Sequence, residues 1–503
     1  MYVLTSDEIR KVEQNCFDSY YDETELMLRA GTACYEAVAR HFNNELCTKK
    51  ISVLCGNGKN AGDGFVMARL FYCAAADVKI VLCDKEPDLP DPVYYYNLAL
   101  ESGVPVIKFD EHSLDGSDII IDCIFGIGFK GEPRPPFDKV FDCVNSNNAF
   151  VVSVDTPSGT DATTGKACKN AVKADLTVAI STLKYCHILP PSNALCGELV
   201  TVDIGIPKAC YAPPYTETVD FDFVRTALPE IDYNANKGSN GKLLCLCGSY
   251  TMPGAAVICA EAAIRTGAGL VRLTVPQSAY PIIASHLVQP VFHPVDDENG
   301  IFAVSAVADI LDDVASSTAV VIGCGMNKNQ ATTEIVKNVL LNSKVPIIVD
   351  ADGINSLISC IDILKDVKVP VVLTPHPGEM ARLVSKTIAE VQENRIDTAK
   401  DFARRYGVVL VLKGANTVIT DGERVFVNLT GNPSLAMGGT GDMLSGIIGS
   451  LLAQGLSAFD AAKAGVYIHG RCADEAVKDY SLRGLGVLDM TERLGALMSE
   501  FEV

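Results

Sequence analysis

The stretch Gly438-Gly439-Thr440-Gly441-Asp442, continuing into Met443-Leu444-Ser445-Gly446, holds the residues best placed to do chemistry. A glycine-rich turn that opens a helix bares backbone N–H groups. The helix dipole adds partial positive charge there, so a phosphate can be held without lysine. Asp442 stands at the mouth of that anion hole. A carboxylate beside phosphate is electrostatically unfavourable unless it has a task, and acting as general base toward a substrate hydroxyl is such a task. The same pattern also fits an aspartate that only caps a helix after a flexible turn.

Three further polar, glycine-rich segments lie in the first half: residues 56–64, residues 122–131, and Asp155-Thr156-Pro157-Ser158-Gly159. The first lacks GxGxxG spacing, and each alone fits ordinary loop chemistry, with Asp63 as a cap and Asp122 and Asp155 as turn formers. Together they fall at the ends of apolar strand-like runs of one sheet, where they would converge.

The elements that must position these groups follow from hydrophobic period. Residues 24–42 carry helical spacing, and strands are expected at 51–55, 78–83, 104–109, 118–124 and 150–154. Helices are expected from Phe65 to about Tyr72, at 92–102 and at 139–146. Such alternation predicts a parallel sheet with helices on both faces, whose ligands bind beyond the carboxyl ends of the strands. A linker is placed near 208–225, around Pro213-Pro214. Beyond it, strands at 242–247, 270–275, 319–322, 346–349, 371–373 and 408–412 alternate with helical stretches. A hairpin follows, turning at Asp421-Gly422, and the small-residue helix 443–453 comes near the end. That order suggests a second α/β domain with a sugar-kinase-like sheet.

The 503 residues fit two α/β domains, and 48% hydrophobic content supports substantial cores. A net charge of −20 argues against a nucleic-acid partner, which needs a basic surface. The 18 cysteines form no CxxC pair, and several (Cys55, Cys83, Cys123, Cys324) sit in apolar runs. Buried reduced thiols in a cytoplasmic protein are expected; Cys245 and Cys247 share a strand face and form no ordinary bridge. Residues 2–25 are acidic and lack the apolar core of a targeting peptide, and no run is long and apolar enough for a bilayer.

Residues 26–31 and the three glycine-rich segments of the first half, with the closing stretch 197–207, resemble the N-terminal YjeF family, whose members are NAD(P)H-hydrate epimerases. The chain has Lys59-Asn60-Ala61-Gly62-Asp63 where that family usually has Asn-Asn-Gly-Gly-Asp. The resemblance implies hydrate-binding segments at Lys59, Asn60, Ala61, Gly62 and Asp63, at Gly126, Ile127, Gly128, Phe129, Lys130, Gly131 and Glu132, and at Asp155. It implies K+ ligands at Asn60, Asp122 and Ser158, oxygen donors that suit a hard cation. Epimerisation of a hemiaminal carbon needs a proton acceptor and donor; Asp155 is the first candidate for the shuttle and Asp122 the second.

Segments 236–241, 253–269, 323–325, 350–355, 374–379, 413–417 and 432–446 are similar to the C-terminal YjeF family, the ADP-dependent NAD(P)H-hydrate dehydratases. Gly323-Cys324-Gly325-Met326-Asn327 stands where that family commonly has Gly-Pro-Gly-Leu-Gly. The resemblance implies hydrate contacts at Ala255, Gly325, His376 and Asp442, and nucleotide contacts at Lys413, Gly414, Ala415, Asn416, Thr417 and Gly441. His376, between two prolines, also fits a turn cap, and Asp352 fits either a helix cap or a metal shell. The implied fold is an N-terminal Rossmann-like three-layer α/β/α domain, residues 1–212, followed by a ribokinase-like α/β domain, residues 222–500.

The function so implied is repair of hydrated NAD(P)H: epimerisation of the R and S forms, then dehydration of the S form with ADP and Mg²⁺, giving AMP and phosphate. A homo-oligomer without nucleic-acid or membrane partners is expected. Two rivals remain open from residues alone: a sugar or hydroxymethylpyrimidine kinase with a regulatory first domain, and a first half that only binds or scaffolds.

Overall fold

A computed structural model describes residues 1–230, 233–234 and 236–502. The chain divides into two compact units, Met1–Thr216 and Glu217–Val503. The expected linker stretch carries structure of its own: a 3-10 turn at Lys208–Cys210, strand Thr216–Thr218 and helix Phe221–Ala227. Asp220 caps that helix by accepting from the Phe223 amide at 2.9 Å, a cap signal the proline-based reading passed over. Residues 231, 232 and 235 of the expected irregular segment lie outside the described residues.

In the first unit seven parallel strands stand in the order Val106–Lys108, Asp77–Leu82, Lys50–Cys55, Ile119–Cys123, Phe150–Val154, Leu176–Ile180, Glu198–Val202. The chain lays down strands outward from Lys50–Cys55, then returns to its other side with Ile119–Cys123. The loops after these two strands leave in opposite directions, and a crevice opens between them. Ile119–Cys123 is buried along its whole length, as a strand covered on both faces must be.

The helix after strand Lys50–Cys55 starts at Lys59, not at Phe65. Asn60 to Gly64 are therefore its opening turns rather than a loop. Glycines inside a helix cost stability relative to alanine, but here they permit close packing. A Cβ on Gly62 would lie 2.2 Å from the Met27 sulfur, and one on Gly64 2.8 Å from the Cys123 Cβ. The acidic N-terminus also has structure, a helix at Ser6–Phe17 held by a Thr5/Glu8 capping box.

The second unit's sheet runs Val291–Val295, Leu270–Pro276, Lys242–Leu246, Ala319–Ile322, Ile347–Val349, Val371–Leu373, Val409–Leu412, all parallel. Strands Val418–Thr420 and Val425–Val427 then add antiparallel. Helix Thr440–Ala453 is buried nearly throughout. Its small residues explain how it fits: a Cβ on Gly446 would lie 2.2 Å from the Cys259 carbonyl oxygen on helix Pro253–Arg265, and one on Gly449 would lie 2.5 Å from Val321 on the sheet. Close approach on two sides fixes the N-terminus of this helix against the strand ends.

All 18 cysteines are free, and among the described residues no helix is long and apolar enough to cross a membrane.

Candidate functional site

The switch-point crevice of the first unit is a cavity of about 680 Å³, large enough for a small organic ligand. Lys59, Asn60, Asp63, Gly126, Ile127, Gly128, Phe129, Lys130, Glu132 and Asp155 line it. Ala61, Gly62 and Gly131 do not: Ala61 is fully buried, Gly62 faces Met27, and Gly131 turns at φ +78.

Asp155 sits just past strand Phe150–Val154 at φ +68, in the left-handed region that a non-glycine residue enters only when held there. It is held on several sides. The ammonium of Lys184, a residue 2% exposed, pairs with its Oδ1, and the Ile180 amide donates to the same oxygen at 3.3 Å. His187 Nδ1 accepts from the Lys184 amide at 3.1 Å, so the proton sits on Nε2, which donates to the Asp155 carbonyl at 2.8 Å. Burial, then the charge of Lys184, pushes His187 down to about 3, so the ring stays neutral. Asp63, in the same cavity, is raised well above the carboxylate range by burial and then by the charge of Asp155.

Asp122 is fully buried. It accepts from Ser158 Oγ at 2.6 Å, from the Ser158 amide and Ser153 Oγ at 2.9 Å each, and from the Ile124 amide at 3.2 Å. Burial raises its pKa, and these bonds oppose the rise. Ser158 also lies 2.9 Å from the Phe125 amide, which donates to its hydroxyl. A Cβ on Gly126 would be 3.4 Å from Asn60 Oδ1. Asn60, Asp122 and Ser158 thus meet around one peptide segment.

In the second unit the sequence-derived residues gather at consecutive strand ends. Gly439, at φ +95, is the N-cap of helix Thr440–Ala453 and no side chain caps it. The opening amides of a helix have no partner within the helix itself. Asp442 is therefore not the cap; it lies in the first turn. Beside it, Lys413 Nζ pairs with Asp350 Oδ1 at 2.8 Å, and a Cβ on Gly441 would lie 3.3 Å from that ammonium. Asp350 also accepts from Thr374 Oγ1 at 2.7 Å and Ser445 Oγ at 2.9 Å. Burial, then Cys324, then Asp350 drive Asp442 up to about 9, so the ligand-free carboxyl holds its proton at neutral pH.

Gly325, at φ +65, would bring a Cβ within 2.7 Å of the Ala255 Cβ, so these two positions touch. His376 does cap a helix, Pro377–Val384: its Nδ1 accepts from the Gly378 amide at 3.0 Å, while its own amide donates to Glu379 at 2.8 Å. Its side chain stays about half exposed. Burial, then Lys413, lowers its pKa. Asp352 is neither cap nor beside these groups in hydrogen bonding; it accepts from the Asn327 amide at 2.8 Å, and Asp350 holds the cap position of its helix.

Backbone approach is tight here. Gly323 sits at φ +122, and a Cβ there would lie 1.9 Å from the Asp350 carbonyl oxygen. Gly323→Ala is expected to cost more than about 2 kcal/mol, because strain and clash coincide. Urea unfolding measures it, and a midpoint equal to wild type would refute the point.

Sequence reasoning passed over Asp350, Lys184 and His187. Asp350 follows strand Ile347–Val349 directly, so the strand-end rule that picked out Asp155 applied to it as well. Lys184 and His187 follow strand Leu176–Ile180, a β-branched apolar run whose pattern is the signal that points to them.

Comparison with known proteins gives the site its context. A family profile described as NAD(P)H-hydrate dehydratase matches residues 243–494, and one described as YjeF-related protein N-terminus matches residues 23–186. The chain is 34% identical over 517 residues to the bifunctional NAD(P)H-hydrate repair enzyme Nnr of Moorella thermoacetica, covering 100% of this chain and 97% of that one. The crystal structure of the ADP/ATP-dependent NAD(P)H-hydrate dehydratase from Bacillus subtilis, co-crystallised with ATP/Mg²⁺, is 30% identical with a TM-score of 0.50, covering 57% of this chain and 99% of that one. A ribokinase-like superfamily protein from Enterococcus faecalis V583, 22% identical with a TM-score of 0.51, covering 58% of this chain and 99% of that one, shares the fold. Since one relative is matched end to end and each half meets its own family profile, the chain belongs to the bifunctional NAD(P)H-hydrate repair enzyme family.

Proposed function

We infer that this chain restores hydrated NAD(P)H, with epimerase chemistry in residues 1–212 and ADP-dependent dehydration in residues 222–500. The observation that carries the reading is Asp442 in the first turn of an uncapped helix, beside the Lys413–Asp350 pair.

In the dehydratase, Asp442 takes the proton of the C6 hydroxyl of the S hydrate. The freed oxygen bonds to the terminal phosphorus of ADP as the bridging P–O bond breaks and AMP leaves. The amides opening helix Thr440–Ala453 and the ammonium of Lys413 stabilise the charge on the phosphoryl oxygens. The ring nitrogen then expels phosphate from C6, and loss of a proton from the neighbouring carbon restores the dihydronicotinamide. Ala255 and Gly325, which have almost no side chain, leave room for the ring, and His376 borders it. Gly414, Ala415, Asn416, Thr417 and Gly441 hold the nucleotide.

The donor set fits Mg²⁺ carried on the nucleotide: the charge of Asp350 is already met by the Lys413 ammonium, and Cys324 is a soft ligand. Phosphate oxygens of the nucleotide would hold it, and when bound it would neutralise charge on the transferring group. K+ fits the first unit because Asp122 is a buried carboxylate and no cationic side chain among the described residues pairs with it. Asn60 and Ser158 would hold the ion beside it, and its charge would steady the loops that face the substrate.

In the epimerase, Asp155, paired with Lys184, is the proton acceptor, and Asp63, whose pKa burial and then the charge of Asp155 raise, is the donor. Two carboxyl groups lining one cavity take the two roles. Lys59, Gly126, Gly128 and Lys130 contact the dinucleotide. The reading extends to a cytoplasmic homo-oligomer.

The test supplies purified protein with mixed hydrate epimers plus ADP, then ATP, and follows the reduced-nicotinamide absorbance. Recovery of both epimers with release of AMP and phosphate is expected. A stable phosphorylated product would make the second unit a small-molecule kinase instead.

A further inference from the structure

Arg395 is the first residue of helix Arg395–Tyr406 and is 2% exposed. Its Nη2 donates to two successive carbonyls, Leu412 at 3.1 Å and Lys413 at 3.3 Å. Nη1 donates to Gln392, and Nε is buried with no hydrogen-bond partner. No carboxylate among the described residues pairs with the guanidinium, and burial alone lowers its pKa to about 10. A buried cation is costly when it lacks a counter-charge. A helix N-terminus adds to the cost, since the dipole there repels positive charge.

The position of this cation relative to the 413–417 loop is specific. The guanidinium lies against Gly414: a Cβ there would come 2.9 Å from Nη1 and 3.0 Å from Nη2. Gly414 adopts φ +141, so both clearance and conformation require glycine. Because a trans peptide points its C=O and N–H in opposite directions, a Lys413 carbonyl turned toward Arg395 sends the Gly414 N–H away from it. Gly414 and Ala415 are themselves exposed.

We propose that Arg395 is a positioning residue for nucleotide phosphate, turning the 413–417 loop outward from beneath and supplying a positive charge whose counter-charge arrives with the bound nucleotide. This rests on the reading of residues 413–417 as the nucleotide loop. A residue with a merely structural role would affect every ligand alike. A buried charge acts on phosphates and leaves the nucleoside untouched.

Calorimetric titration of the full chain with ADP and with adenosine tests this in wild type, Arg395→Gln and Arg395→Lys. Gln keeps an amide donor for the carbonyls and removes the charge; Lys keeps the charge and removes the fork. ADP should bind about 10- to 50-fold more weakly to Arg395→Gln, from a unit charge several ångströms from phosphate. Adenosine should bind as before, and Arg395→Lys should recover most of the ADP affinity. Equal losses for ADP and adenosine, or no loss for ADP, would overturn the role of Arg395. A crystal of wild type with ADP decides the matter even if Arg395→Gln does not fold: the phosphates should lie over the exposed side of Gly414 and Ala415. Phosphates seated on this loop but beyond the reach of the guanidinium's charge overturn only Arg395. ADP bound away from the loop altogether overturns the nucleotide-site reading itself.

Discussion

Asp442→Asn should lower NAD(P)H recovery from its hydrate by about 10³-fold, the scale of a lost general base, while the R and S epimers still interconvert. Asn keeps the shape of the side chain and removes only the proton acceptor. The pH dependence carries a second signature. The carboxyl is raised to about 9 by burial, then by Cys324 and Asp350. A base must be deprotonated to act, so kcat/KM should rise with pH and level off above that value. The Asn variant should lack this limb.

Stability should change in the opposite sense. The folded pKa lies above the unfolded one, so the folded state holds a proton that the unfolded state has released. Wild-type stability contributed by this group is therefore lost as pH rises from the ordinary aspartate range through about 9. The Asn variant should gain on wild type over that window. Thermal unfolding at several pH values measures it. Equal loss of both activities in a folded Asn variant would argue against two separate sites.

Lys184→Met should remove epimerisation and destabilise the protein by about 3–5 kcal/mol, the cost of leaving a buried ion-pair partner alone. Lys184 is 2% exposed and pairs directly with Asp155, so the stranded carboxylate would face a cavity without its cation. Asp155→Asn should cost epimerisation about 10²-fold or more through loss of the proton acceptor, with the dehydratase spared. The double variant separates packing from chemistry. With both charges gone it should regain most of the lost stability, because no unpaired ion remains, and none of the activity. A double variant that epimerises would show that neither group is the shuttle. Interconversion of the separate hydrate epimers, with the dehydratase silenced by omitting ADP, gives the readout.

Much of this molecule was legible before folding because its signals are local. The strand ends at Asp122, Asp155 and Gly323 follow from apolar runs broken by glycine and polar residues, and period alone places them in parallel sheets. The glycine turn at 438–442 announces a helix start with bared amides because only the backbone is needed. Local pattern did not fix where a helix begins when glycines serve packing. Lys59 to Gly64 looked like a loop, yet Gly62 and Gly64 are there to admit Met27 and Cys123. That partner lies 35 residues earlier or 59 residues later in the chain, so no window of sequence holds it.

Sequence by itself determined the two α/β units, the glycine turns and the places of Asp122 and Asp155 at strand ends and of Asp442 at a helix start, because residue type and spacing suffice to place each. Tertiary structure alone decided which charges meet. It paired Lys413 with Asp350 and Lys184 with Asp155, set neutral His187 behind the second pair, and left Arg395 with no carboxylate partner among the described residues. The reason is physical. The protonation state of a group depends on burial and on neighbours from other strands, and strand order in a sheet is a property of the folded chain.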